Sequence, residues 1–178
     1  MQHQDHVTLL QKGVPTPGGM WADLGAGDGA FTLALAELIG ATGTIYAVDR
    51  DAGALRRLAR AMEQHFPAVM LHTVVGDFGG EAKRALPLPP LDGIVMANSL
   101  HFIRHKAATL ARVRGYLKPE GHLLMVEYNS DQGNMWVPHP FSYPTWERMS
   151  RESGFGHTEL LATYPSRFLR EIYAAASW

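Results

Sequence analysis

The chain has 178 residues, 46% of them hydrophobic, which suits a single domain with a sizeable buried core. Its formal net charge of -1 gives no bulk pull toward nucleic acid or an anionic membrane. It contains no cysteine, which excludes disulfides, thiolate metal sites and a cysteine nucleophile.

The first stretch, MQHQDHVTLLQKGVPTPGG, lacks the basic start and apolar run of a secretion signal. No apolar stretch is long enough to span a bilayer. A cytoplasmic protein without a membrane partner is therefore expected. Residues 1–178 read as one domain, with 1–17 as an N-terminal arm or lid in which His3 and His6 are surface histidines on a mobile terminus.

Trp21 to Leu24 is short and apolar and reads as the end of a strand. Phe31, Leu35, Leu38 and Ile39 recur at helical spacing, with Gly40 as the stop. Gly43 to Arg50 is β-branched and apolar, a second strand. Asp51 can cap a helix whose buried stripe is Leu55, Leu58, Ala59, Met62 and Phe66, closed by Pro67. Val69 to Asp77 and Gly93 to Ser99 read as two further strands. Leu110, Val113 and Leu117 mark a helix closed by Lys118–Gly121, and His122 to Asn129 follows as a fifth strand. After a helix around Thr145 to Ser153 come GHTELLATYP and SRFLREIYAAAS, two strand-like runs joined at a Tyr-Pro-Ser turn. No helix fits between them, so they should be antiparallel neighbours.

The alternation predicts an α/β fold: a Rossmann-like three-layer sandwich whose seven-stranded, mostly parallel sheet ends in an antiparallel C-terminal hairpin. In such a sheet the ligand sits outside the carboxyl ends of the strands, near the point where strand order reverses. The first strand leaves through Asp23-Leu24-Gly25-Ala26-Gly27-Asp28-Gly29-Ala30. Glycines let the backbone approach a ligand closely. Gly25, Gly27 and Ala30 also satisfy the loose dinucleotide pattern, but Asp23 and Asp28 would sit beside a pyrophosphate at a cost. S-adenosylmethionine has no phosphate and carries positive charge at this end, so it fits the acids better.

On these residues the chain resembles the class I S-adenosylmethionine-dependent methyltransferases, most closely the small-molecule enzymes of the ubiquinone-biosynthesis type. The resemblance covers roughly residues 18 to 178, with acid-x-Gly-x-Gly-x-Gly met by Asp23, Gly25, Gly27 and Gly29. It implies that this loop, Ala26 included, holds the amino-acid end of S-adenosylmethionine, and that S-adenosylhomocysteine is the product. It implies that Asp49, with Arg50 beside it, holds the ribose hydroxyls, and that Asp77 and Phe78 meet the adenine. Asn98 and Leu100 are expected near the methionine moiety. Blander roles stay open: Asp23 or Asp49 as caps, Asp77 as a turn residue, Phe78 as core.

His101 stands just past the fourth strand, where an acceptor's proton would have to be removed, and imidazole exchanges protons near neutral pH. It is the candidate base, against a structural or orienting role; Tyr128 and Glu127 are further candidates. The His101/His105 spacing could also place two metal ligands on one helix face, but no third is evident and no metal is expected. Arg104, Lys106, Arg112, Arg114 and Lys118 form a basic stretch, read as a solvated face rather than a nucleic-acid site. Trp136, His139, Phe141 and Tyr143, in a loop dense in aromatics and proline, are candidates for the substrate pocket. An Asn/Asp-Pro-Pro-aromatic motif is absent; Asn98-Ser99-Leu100-His101 stands there instead, which argues against amide or exocyclic-amine methylation. A small-molecule methyltransferase is expected, with a lid supplied by the chain or by a second subunit of a homodimer. A cofactor-binding protein without catalysis and a nicotinamide-dependent oxidoreductase are the alternatives.

Overall fold

The computed structural model describes residues 1–79, 85–166 and 168–178. In chain order it comprises α1 (His3–Leu10), β1 (Gly19–Leu24), α2 (Ala30–Ile39), β2 (Gly43–Asp49), α3 (Ala52–His65) and β3 (Met70–Val75). There follow β4 (Leu91–Ala97), α4 (Lys106–Arg114), β5 (Leu117–Tyr128), α5 (Tyr143–Glu152), β6 (Thr158–Ser166) and β7 (Arg170–Ser177). The seven strands form one sheet in the order β3-β2-β1-β4-β5-β7-β6. Pairing is parallel from β3 through β5 and antiparallel where β7 meets β5 and β6. The predicted α/β sandwich with its terminal hairpin is the fold observed.

Alternate side chains of each central strand enter opposite apolar layers, the period of two that a pleated strand imposes. Trp21 of β1 and Leu124 and Val126 of β5 pack with α1, α2 and α3; Ala22, Leu24, Leu123 and Met125 pack with α4 and α5. Because both faces are covered, the strands read as continuous apolar runs.

Three boundaries differ from the sequence reading. Lys118–Gly121 does not close a helix but opens β5: Leu117 already pairs with Leu91, and the register then shifts before Gly93 pairs with His122. Tyr164, Pro165 and Ser166 are not a turn but the end of β6, so the hairpin turns later. Proline is tolerated there because β6 is an edge strand. The N-terminus is a docked helix rather than a mobile arm. Val7, Leu9 and Leu10 are buried in the core, His3 meets Glu37 at 2.7 Å, and His6 packs edge-on against Phe31.

Candidate functional site

Strand order reverses between β1 and β4, which both leave the sheet at its carboxyl edge. A cleft of about 520 Å³ opens there, within the usual range for a small-molecule site. Gly25, Asp49, Arg50, Asp77, Phe78 and Asn98, all singled out in the sequence, line it. Ser99, Phe102, Ile103, Arg104, His105 and Ala108 line it too. The sequence did show that the fourth strand ends here, but not that the following turn folds back over the cleft.

The glycine turn owes its shape to two demands. Gly25 has φ +86°, and a Cβ on it would come within 2.6 Å of Ser99 Cβ. Ser99 in turn donates from its hydroxyl to Leu24 O at 2.8 Å, tying the exits of β1 and β4 together. Gly29 has φ +90°, and its Cβ would overlap Leu58 Cδ1, so the missing side chain leaves room for Leu58 of α3 against the start of α2.

The carboxylates divide into two kinds. Asp49 lines the cleft, accepting from Gly27 N–H on Oδ2 and from Asp51 N–H on Oδ1, both at 2.8 Å. Each oxygen keeps a further lone pair for a ribose hydroxyl. Asp77 accepts from Gly79 N–H at 2.8 Å, which closes its loop at the other end of the cleft. Asp23 differs: it is 1% exposed, does not line the cleft, and accepts from Thr32 Oγ1 at 2.6 Å. Burial, with the charge of Asp49 adding to it against the Thr32 bond, raises its pKa to about 6. Ala26 and Leu100 are also buried outside the lining, Leu100 in the α4–α5 layer. Asn98 has a left-handed backbone, φ +50°, and its Oδ1 is buried with no hydrogen-bond partner among the described residues. An acceptor held in that state at the cleft is suited to an incoming donor such as an ammonium group.

His101 is 3% exposed, in a short 3-10 turn (Leu100–Phe102) after β4. Its Nδ1 lies 2.8 Å from Glu127 Oε2, and its backbone N–H donates to Glu127 Oε1 at 3.1 Å. Glu127, the last residue but one of β5, is fully buried. An ionised carboxylate only accepts, so with Glu127 ionised and the ring neutral the shared bond would carry its proton on Nδ1 and leave the lone pair on Nε2. His105 stands at the start of α4 rather than on a helix with His101, so the pair does not share a helix face.

The aromatic loop does not supply the lining of this cleft. Phe141 is buried against Trp146, ring centroids 5.9 Å apart, and Tyr143 packs edge-on against Tyr173. Trp136 is 70% exposed. His139 instead fastens the loop: its N–H donates to His101 O at 3.1 Å, and its carbonyl accepts from Lys106 Nζ at 2.9 Å. Arg104 of the basic stretch lines the cleft, while its other members make contacts within the chain. Lys106 also serves Ile103 O, Arg112 serves Gly79 O, Arg114 lies over Phe155 and Lys118 meets Asp92. Among the described residues no cluster of three metal-ligating side chains is found, and no helix is long and apolar enough to cross a membrane.

The residues that line this cleft lie inside the segment matched by a known family. Residues 22–123 match the family model described as "Methyltransferase domain". The chain belongs to that family, and its fold is the class I S-adenosylmethionine-dependent methyltransferase fold. It is 24% identical over 165 residues to the highly reducing polyketide synthase aurA of Calcarisporium arbuscula, covering 82% of this chain but 7% of that protein. It is 28% identical over 142 residues to the ubiquinone/menaquinone biosynthesis C-methyltransferase UbiE of Burkholderia mallei (strain SAVP1), covering 78% of this chain and 53% of the relative. Among solved structures, a candidate O-methyltransferase from Nostoc punctiforme PCC 73102 superposes with a TM-score of 0.75 at 20% identity, covering 98% of this chain and 56% of the other. The family is therefore settled at the level of the methyltransferase domain, not of the ubiquinone-biosynthesis type.

Proposed function

We propose that the chain transfers a methyl group from S-adenosylmethionine to a small-molecule acceptor that must first lose a proton, an enolisable carbon or an enol or phenol hydroxyl. The observation that carries this reading is the buried His101–Glu127 pair beside the exit of β4. Glu127 holds the imidazole by two contacts, one to its ring and one to its backbone. His101 is buried between the lining residues Ser99 and Phe102 rather than lining the cleft itself, and its Nε2 would take the acceptor's proton, with the resulting imidazolium stabilised by the carboxylate. The carbon acceptor named for UbiE supports an acidic C–H as the group deprotonated.

The cleft fits the cofactor. Asp49 would hold the ribose hydroxyls, and Asp77 and Phe78 the adenine. Gly25 leaves room for close backbone approach, and the Asn98 carbonyl would face the ammonium group. When bound, the cofactor supplies a methyl on a sulfonium, already activated for in-line displacement. The chain's own task is then alignment, exclusion of water and removal of one proton.

Thermal shift with S-adenosylmethionine, S-adenosylhomocysteine and NAD tests the cofactor; the first two should stabilise the chain and NAD should not. A panel of enolisable carbonyls and phenols then tests the acceptor. His101→Asn should keep cofactor binding and lower turnover by about 10²–10⁴. Wild-type turnover in that variant, or stabilisation by NAD alone, defeats the proposal.

A further inference from the structure

Glu127 and Tyr173 are opposite one another in the antiparallel β5–β7 ladder. Residues so paired project to the same side of the sheet. The phenol therefore enters the α4–α5 layer, where the carboxylate meets His101. Tyr173 is fully buried, and its hydroxyl has no hydrogen-bond partner among the described residues. A buried hydroxyl is costly to leave bare, and folded interiors satisfy such groups with protein or ordered water.

The groups around Glu127 are few. His101 bonds it from the turn after β4, and the Lys106 ammonium attracts it from α4. Tyr128, next in β5, and Tyr173 of β7 both feel its charge; Asp131 and Tyr143 also act on Tyr173. Burial first, and these negative neighbours next, push the Tyr173 phenol well up, so it remains an O–H donor across the working pH range.

We propose that Tyr173 is a positioning residue for the His101–Glu127 pair, its O–H serving the Glu127 carboxylate through one buried water. The inference rests on the reading of that pair as the base. A donor on the carboxylate fixes its rotamer, so that both oxygens stay on His101. It also draws off part of the negative charge, so that the pair releases its proton readily after each transfer.

Tyr173→Phe keeps the ring and its packing on Tyr143 and removes only the O–H. The readout is the pH at which the pair takes up a proton, followed by imidazole chemical shifts in the full chain with no acceptor present. That midpoint should rise by about half a pH unit, roughly threefold in proton affinity, because the carboxylate loses a donor. In a Glu127→Gln background the same substitution should leave the midpoint where it is. An unchanged midpoint, or an equal change in both backgrounds, overturns the proposal. A higher melting temperature does so too, since it marks a hydroxyl that was simply unsatisfied. Should Tyr173→Phe fail to fold, the wild-type chain decides: the phenol proton should exchange slowly and show a cross-peak to a bound water, and its absence overturns the proposal. None of these measurements uses turnover, so loss of the base reading through His101→Asn is seen separately.

Discussion

Asp23 and Thr32 are bound to each other under the glycine turn, the carboxylate accepting from the hydroxyl at 2.6 Å with Asp23 1% exposed. Burial lifts Asp23 to about 6 from an ordinary 3.8. The folded chain thus keeps a proton that the unfolded chain has lost. The stability tied to that proton is full below about pH 4 and disappears as pH rises through about 6, a change of up to roughly 3 kcal/mol. Asp23→Asn, which imitates the protonated acid, should match the wild type near pH 4 and exceed it in melting temperature at pH 8 without ligand. Parallel pH curves for the two proteins would refute this.

The same group links pH to cofactor. A cation lodged at the turn favours the carboxylate, so S-adenosylmethionine should bind more tightly as pH rises from 5 to 7.5, with release of a proton. Below about 6 the gain approaches tenfold per pH unit at most. Calorimetry in buffers of different ionisation enthalpy measures the proton directly, and Asp23→Asn should show neither the proton nor the slope.

Asp49 carries a different expectation, since it lines the cleft and holds Gly27 N–H on one oxygen. Asp49→Ala should weaken cofactor binding by at least about tenfold, the scale of a lost charge-assisted hydrogen bond. Unchanged affinity would remove the ribose assignment.

The alternation of strands and helices, the terminal hairpin and the strand-end residues of the cleft could be read from the sequence because they depend on local signals. Asp49, Asp77 and Asn98 each follow a strand of apolar residues, and strand ends are what a parallel sheet uses for binding. What escaped depends on contacts between distant residues. The sequence does not show that Thr32 of α2 bonds Asp23 and that the carboxylate is buried beneath the turn. Glu127 gains its weight only when β5 lies beside β4 and sets it under His101. Phe141 and Tyr143 have the composition of a pocket wall, yet Phe141 is buried in the core and Tyr143 packs partly buried against it and Tyr173. Val7, Leu9 and Leu10 give too short a stripe to announce α1 by themselves.

Two glycines separate backbone freedom from packing. Gly27 has φ +52° with nothing within 4 Å of its would-be Cβ; Gly29 has φ +90° with Leu58 in the way. Gly27→Ala should cost about 1–2 kcal/mol, the left-handed penalty alone. Gly29→Ala adds overpacking and should cost about 2–5 kcal/mol. Chemical denaturation of both variants checks the order, and equal losses would mean that the α2–α3 contact yields freely.

Lys106 joins three parts of the site. Its ammonium donates to Ile103 O at 2.8 Å and His139 O at 2.9 Å, and it lies 5.2 Å from the Phe141 ring centre. Burial lowers its pKa, with the Glu127 charge acting against that shift. The two carbonyls it serves belong to the turn behind His101 and to the aromatic loop, so the lysine ties the loop to that turn. Lys106→Met keeps the aliphatic bulk over Phe141 and cannot donate. The amides of residues 134–139 should then exchange with solvent at least about tenfold faster, while amides of β4 and β5 keep their protection. If the loop exchanges at the wild-type rate, His139 N–H on His101 O is sufficient to hold it, and the lysine serves α4 alone.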